Sequence, residues 1–407
     1  MKIGNLAKKS GLSAHTLRYY ERIGLLPYAD RDRSGQRDYD VSILTWIEFL
    51  GRLKTTDMPI RDMLRYAEMA ERGDQTFSQR RELLESHRDR VIYARQGINL
   101  DRSTLADWVG RAAWHLRPVH ERLLEKLKAS PKLFADETTA PVLDPGRGKT
   151  KTGQLWAYAR DDRPWQGNDP PGVAYVYAPD RKAERPIAHL AGFAGILQVD
   201  GYGGYRVLAE KNGATLAFCW AHVRRRFYEL AAAGPATIAS EALRRIGELY
   251  RIEDDIRSQP AETRRAVRQE RSRPILAELE PWLREKLGLI SQKTKLAEAI
   301  RYTLSRWEGL TRFIDDGRIE IDSNTVERSI RPIALNRKNA LFAGSDGGAE
   351  HWAVIASLIE TCKLNDVEPL AYLAEVLTRI VNGHSNSQID DLLPWAYIRA
   401  PDLKAVA

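Results

Sequence analysis

Apolar positions over residues 1–90 recur at helical spacing and are punctuated by glycine. Ile3, Leu6 and Ala7 mark a first helix running to Lys9, Gly11 breaks it, and Ser13 is a suitable N-cap for a second helix carrying Leu17, Tyr20 and Glu21. That helix stops at Gly24-Leu25-Leu26-Pro27. Helix, short turn and helix is the plan of a helix-turn-helix, whose second helix can enter a major groove. In Arg31 to Tyr39, Ser34-Gly35 is a hairpin-turn signal between two basic arms, and a basic wing can hold phosphates while the helix reads bases. From Gln79 to about Val91 a further helix supplies Leu84 and Val91 one heptad apart, short of the three or four heptads of a coiled coil.

The pattern changes at Ile92. A helix, Gly97 and a capped helix continue with Trp108, Val109, Ala112, Leu116 and Val119, the spacing of one buried face, with Pro118 as a kink. Strand patterns then appear at Lys132–Asp136, Gln154–Arg160 and Val173–Tyr177, rich in aromatic and β-branched residues. A short helix over Arg185–Gly192, a strand ending at Asp200, a short helix, a strand over Thr215–Cys219 and a basic helix from Trp220 follow. Three strands, helix, strand, helix, strand, helix is the order of a ribonuclease-H-like fold. From Glu241 to Lys295 the chain is charged and helix-periodic, which predicts a helical insertion, and near the C-terminus Leu370, Leu373, Leu377 and Ile380 share one helical face. Gly148-Lys149-Thr150 suggests a phosphate loop, but the required first glycine is Leu143, so Asp144–Thr150 reads as a basic hairpin loop.

Composition narrows the class. A chain of 407 residues predicts two or three domains, and 43% hydrophobic with 29% charged residues predicts a folded, soluble protein. No apolar run approaches the roughly 20 residues of a membrane span, and the N-terminus lacks the apolar segment of a signal peptide. The expectation is a cytoplasmic, nucleoid-associated bacterial protein with no membrane partner. Cys219 and Cys362 are the two cysteines, far apart, which argues against a disulfide framework or a four-cysteine zinc site. The formal charge of +8 is modest, but Arg224-Arg225-Arg226 and the spread of Arg328, Arg331, Arg337 and Lys338 suggest a polyanionic partner.

Candidate chemistry centres on Ile196-Leu197-Gln198-Val199-Asp200-Gly201-Tyr202-Gly203-Gly204-Tyr205, where a short apolar run ends in a carboxylate followed by glycines. Asp136 ends another strand. Glu327 lies in the first turns of a helix capped by Asp322 or Ser323, with Arg331 one turn on, a spacing that by itself gives a surface ion pair. Three clustered carboxylates repel one another unless cations sit between them, and hard divalent ions are the natural solution. Two such ions about 3.5–4 Å apart can activate a water or hydroxyl and stabilise the leaving oxygen of a phosphodiester. Cys219-x-x-His222 would need two more partners to hold zinc, which favours packing or an active-site-edge role.

Ser13-Ala14-His15-Thr16-Leu17-Arg18-Tyr19-Tyr20-Glu21-Arg22-Ile23-Gly24-Leu25-Leu26-Pro27 and Gly35-Gln36-Arg37-Asp38-Tyr39 resemble the recognition helix and wing of the MerR family of transcriptional regulators. The resemblance implies contacts to double-stranded DNA by Arg18, Tyr19, Arg22, Arg37 and Tyr39. It also implies a homodimer, which the short coiled-coil helix weakens, and the absence of cysteine before Cys219 argues against metal sensing.

Phe134-Ala135-Asp136-Glu137-Thr138, Leu143 to Gly153, Val199 to Tyr205, Cys219 to Arg225 and Ile321 to Arg328 are similar to the transposase of the insertion-sequence-66 family, from about Ile92 onward. That implies a DDE recombinase core with Asp136, Asp200 and Glu327 as catalytic metal ligands for Mg2+ or Mn2+, two ions, and His222, Arg328, Arg331 and Lys338 at the edge of the site. The expected architecture is an α+β multidomain chain: a MerR-like winged helix-turn-helix (1–78), a truncated dimerisation helix (79–91), a helical lead-in (92–130), a ribonuclease-H-like α/β core (131–234), a helical insertion (235–300), the core part with Glu327 (301–360) and a helical C-terminal segment (361–407). Where that transposase family carries a cysteine-rich end-binding region, a MerR-like segment stands, so the chain reads as a chimera. Three functions stay open: a transposase-like enzyme, a MerR-type regulator joined to a catalytically inert remnant, and a fusion without joint function.

Overall fold

The computed structural model describes residues 1–26, 29–31, 37–56, 58–95, 102–144, 149–340 and 342–397. The chain divides into two compact units, Met1–Leu105 and Ala106–Ala407. Among the described residues no helix is long and apolar enough to cross a membrane.

In the first unit, α1 (Ile3–Ser10) ends at Gly11, whose φ of 71° lets its N–H close onto Ala7 O. Ser13 Oγ accepts from Thr16 N at 3.0 Å and starts α2 (Ala14–Ile23), as the sequence predicts. Two short strands, β1 (Asp30–Arg31) and β2 (Arg37–Asp38), pair antiparallel. The expected turn at Ser34-Gly35 lies outside the described residues. Helices α3 (Ile43–Thr55), α4 (Ile60–Glu71) and α5 (Phe77–Arg95) complete the unit around Leu6, Leu17, Leu25, Ile43, Ile47, Leu50 and Met63. The fifth helix is 19 residues long, and Leu84 packs on this core instead of standing free for a partner helix. The side chain of Val91 lies outside the described residues.

The second unit is built on one five-stranded sheet. Its strands are β3 (Lys132–Asp144), β4 (Lys149–Arg160), β5 (Gly172–Ala178), β6 (Ile196–Val199) and β7 (Thr215–Phe218), in the spatial order β5-β4-β3-β6-β7. The first three are antiparallel, and β6 and β7 join parallel to β3. The hairpin of β3 and β4 runs past the segments that apolar pattern predicts, because Glu137 to Asp144 continue the ladder with Lys149 to Trp156. The turn residues 145–148 lie outside the described residues. Both faces of the sheet are covered: Trp156 and Tyr158 bury into one core, while Leu155, Ala157 and Ala159 bury into the other. A strand buried on both faces loses polar alternation, which is why residues 155–159 of β4 read as an unbroken apolar run.

Around the sheet lie α6 (Arg102–Lys128), α7 (Glu184–His189), α8 (Gly203–Asn212), α9 (Trp220–Ala232), the insertion helices α10 (Thr237–Asp255), α11 (Ala261–Val267) and α12 (Arg273–Leu289), then α13 (Lys295–Leu304), α14 (Trp307–Thr311), α15 (Asn324–Ala340), α16 (Asp346–Leu364) and α17 (Pro369–Val381). Helix α6 continues through Pro118. Its inward stripe is Ala113, Leu116, Val119, Leu123 and Leu127, whereas Trp108 and Val109, expected on the buried face, are about half exposed. In α17 the inward positions are Tyr372 and Val376, flanked by the partly buried Leu373, Leu377 and Ile380, and the expected contact residue Leu370 is 75% exposed. The edge strand β5 is closed by side chains: Ser357 Oγ accepts from Tyr175 N at 2.8 Å, and Thr361 Oγ1 both accepts from Val173 N and donates to Val173 O.

Candidate functional site

Register brings two of the predicted acids level. Phe134 of β3 pairs with Gln198 of β6 in parallel, so Asp136 stands level with Asp200, each two residues further on. Asp200 follows the end of β6, but Asp136, expected at a strand end, lies inside β3 because the ladder with β4 carries that strand on to Asp144. Asp200 begins the turn into α8: its Oδ1 accepts from Tyr202 N at 2.9 Å. Gly201 takes φ +103°, which favours glycine, and a Cβ there would meet Arg306 Nε at 2.6 Å and push that side chain aside. Glu327 comes from the first turn of α15, and its Oε1 accepts from Ser323 Oγ at 3.3 Å.

The three acids share a field. Burial, then the charges of Glu137, Asp200 and Glu327, push the Asp136 carboxyl up to about 7. Among the described residues the group whose ligand atoms all come within 4.8 Å of one another is Cys219, His222 and Glu327, not the three carboxylates. Oxygen donors carrying uncompensated repulsion suit a hard divalent ion, so the residues present fit that group.

The segment before α15 is held from three sides. Gln198, fully buried on β6, donates through Nε2 to Glu320 O at 2.7 Å and Asp322 O at 2.8 Å, and accepts from Glu320 N at 3.2 Å. Trp220 N donates to Ile321 O, and Ser323 N donates to Cys219 Sγ at 3.3 Å. From the insertion, Arg264 pairs with the Glu320 carboxylate at 2.7 Å. Asp322 Oδ1 accepts from Asn324 N at 3.1 Å, closing the turn at which the helix starts. No strand forms at 319–321.

Several neighbours escaped the sequence reading. Glu137 receives Arg181 Nε at 2.7 Å and Tyr205 Oη at 2.9 Å, and burial keeps its carboxyl above the usual range. The Arg181 guanidinium also lies 4.4 Å from the Tyr202 ring centroid. Tyr302 Oη donates to Asp200 O at 3.0 Å, and Arg226 and Arg306 lie over its ring at 4.0 and 3.9 Å. These cations lie 19, 26 and 106 residues from Asp200 in sequence, and no local pattern marks them. Of the expected edge residues, Arg328 and Arg331 are exposed and the side chain of Lys338 lies outside the described residues. The Glu327–Arg331 ion pair that helical spacing predicts does not form among the described residues, and Glu327 turns to Ser323 instead.

In the first unit, Arg18 and Arg22 are exposed on α2 and Tyr19 is 40% exposed. Tyr39, expected to touch DNA, is 3% exposed, with its hydroxyl directed to Glu21 at 3.4 Å, so it supports the ladder from beneath. Glu21 is buried and takes Arg37 Nε at 2.8 Å, leaving the Arg37 side chain 36% exposed. Sequence spacing presents Glu21 as an ordinary helix residue, yet it ties α2 to β2.

Comparison with known proteins matches two different families along the chain, the second match beginning inside the first compact unit. The family model described as Transposase IS66 family matches residues 78–351, that of the IS66 C-terminal element matches 357–395, and that of the MerR family regulatory protein matches 2–39. The uncharacterized protein y4qI of Sinorhizobium fredii is 49% identical over 319 residues, covering 76% of this chain and 59% of its own length. The HTH-type transcriptional regulator AdhR of Bacillus subtilis is 41% identical over 92 residues, 23% of this chain and 66% of that protein. A crystal structure of a MerR family transcriptional regulator from Bacillus thuringiensis is 30% identical, covers 24% of this chain and 85% of its own, and superposes with a TM-score of 0.22.

Proposed function

Because this chain belongs to the Transposase IS66 family over residues 78–351 and carries a MerR-type segment at 2–39, we propose that it is a DNA-binding, metal-dependent strand-cleaving and strand-joining enzyme. The observation that carries the reading is the register that sets Asp136 level with Asp200, with the Asp136 carboxyl pushed up to about 7 by burial first and then by the charges of Glu137, Asp200 and Glu327. The strand order β5-β4-β3-β6-β7, three antiparallel strands followed by two parallel ones, supports a ribonuclease-H-like core with α10 to α12 as its insertion.

Asp136, Asp200 and Glu327 would hold Mg2+ or Mn2+, two ions. When bound, such ions supply Lewis-acid activation of the attacking oxygen and stabilise the leaving one. The chain's own contribution is positional. The parallel register of β3 and β6 fixes the two aspartates, and Gln198 holds the segment from which Glu327 projects. Arg181, Arg226 and Arg306 put positive charge beside Asp200, where a phosphate backbone would lie, and His222, Arg328 and Arg331 border the same face. In the N-terminal unit a winged helix-turn-helix binds double-stranded DNA through Arg18, Tyr19, Arg22 and the partly exposed Arg37, and a homodimer would place two such units on one duplex. The protein would work in the bacterial cytoplasm, on the nucleoid.

The test is strand cleavage or transfer by the full chain on the flanking end DNA of its own element with Mg2+ or Mn2+. Activity lost in Asp200→Ala is the expected result, and no activity from intact protein on correctly identified ends overturns the reading. One observation favours a second reading, a MerR-type regulator joined to an inert core: the three carboxylates are not drawn within 4.8 Å of one another, while Cys219, His222 and Glu327 are. That reading expects promoter binding unaffected by Asp200→Ala and no nicking.

A further inference from the structure

Cys219 follows β7 and His222 lies in the first turn of α9, so the Cys-x-x-His spacing sets both side chains at one helix end, and α15 brings Glu327 to them. One ligand atom from each lies within 4.8 Å of the other two. Two polar atoms here have no hydrogen-bond partner among the described residues. One is His222 Nδ1. The other is Tyr250 Oη of α10, which feels the charges of Asp322, Cys219 and Glu327. An unpaired imidazole nitrogen beside a thiol and a carboxylate is free to ligate a cation.

We infer that Cys219, His222 and Glu327 bind one divalent ion of borderline softness, of the Zn2+ class, with a water completing the tetrahedron and hydrogen-bonded to Tyr250. Donor chemistry separates this ion from Mg2+: sulfur and imidazole suit Zn2+ or Co2+, whereas magnesium takes oxygen. Ligand distances of about 2.0–2.3 Å put tetrahedral donors about 3.5 Å apart, so side-chain rotation closes the group. Thiolate and carboxylate together neutralise the ion, which leaves no net charge beneath the surface. Cys219 Sγ already accepts the Ser323 N–H at 3.3 Å, and burial pushes its thiol up, so the ion would have to displace the thiol proton.

The consequence is competition for Glu327. An ion held by Cys219 and His222 draws Glu327 toward α9 and away from Asp136 and Asp200, coupling the two kinds of metal through one carboxylate. That coupling rests on the proposed carboxylate centre, but the ion site itself does not.

Co2+ is the probe, titrated into metal-stripped full-length protein in excess Mg2+. One equivalent is expected to give tetrahedral visible bands and a thiolate-to-cobalt charge-transfer band that Zn2+ abolishes. The chain has two cysteines, so the band should vanish in Cys219→Ser and persist in Cys362→Ser. His222→Gln, which leaves the buried thiol in place, should weaken Co2+ binding at least ~10-fold and guards against misfolding of the cysteine variant. Asp200→Asn should keep the band, which separates this site from the proposed carboxylate centre: loss of cleavage with the band intact concerns that centre alone. No charge-transfer band in the intact protein, a band that survives Cys219→Ser, or full binding by His222→Gln overturns the inference.

Discussion

Asp136 shows how one residue's surroundings change the proton affinity of an aspartate inside a strand. Its side chain is partly buried, with Glu137 next in sequence and Asp200 on the adjoining strand, so its charged form is disfavoured until about pH 7. The folded pKa is raised above the ordinary value of 3.8, so the folded state binds more protons than the unfolded one between about 4 and 7, and stability falls as pH rises through that window. In metal-free buffer the melting temperature should therefore drop between pH 5 and pH 8, and Asp136→Asn should flatten that drop. Added Mg2+ should restore more stability at pH 8 than at pH 5, because the ion must displace the proton. Equal Mg2+ shifts at both pH values would refute this account. The candidate acids were legible as residues because strand ends and a capped helix start are local patterns. Their shared field was not, since it depends on the register between β3 and β6.

At the scale of elements, the segment 320–322 matters most. It forms neither helix nor strand. Its backbone is paired by the Gln198 amide, a side chain standing in for a neighbouring strand, and by Trp220 N. Gln198→Leu keeps the bulk and leaves one N–H and two carbonyls of this segment without that partner. The cost should be about 1–3 kcal/mol, the penalty of unsatisfied buried polar groups. Denaturant unfolding measures that loss, and cleavage should fall further than stability because Glu327 is displaced with the segment. A variant as stable and active as the parent would show that α15 is held without Gln198. Sequence periodicity located α6 and α17 and much of their buried faces, with Leu116, Val119, Leu373, Leu377 and Ile380 on the core, but misjudged the edges. Trp108, Val109 and Leu370 fit a helical stripe, yet Ala113, Tyr372 and Val376 point inward. An apolar stripe on a helix is wider than the strip a neighbour covers, and packing partners decide which edge is used.

Over the whole molecule, two tasks are proposed, and the DNA-binding one should be separable by salt. Arg22→Ala should weaken duplex DNA binding and reduce the slope of log K against log salt by about 1, as expected for one lost phosphate contact. Asp200→Ala should leave that slope unchanged, and a slope unaffected by Arg22→Ala would remove the α2 face from the interface. By itself the sequence determined the helix-turn-helix, the order of strands and helices and the two families, and it put forward the three candidate acids. All of these are written in local spacing: N-caps, glycine breaks, apolar runs and short motifs. Tertiary structure alone decided that Tyr39 is buried beneath the wing, that Glu21 holds Arg37, that Arg181, Arg226 and Arg306 collect near Asp200, and that Glu327 lies with Cys219 and His222. Those contacts join residues from separate elements, and their distances follow from strand register and helix packing, which spacing along the chain does not encode.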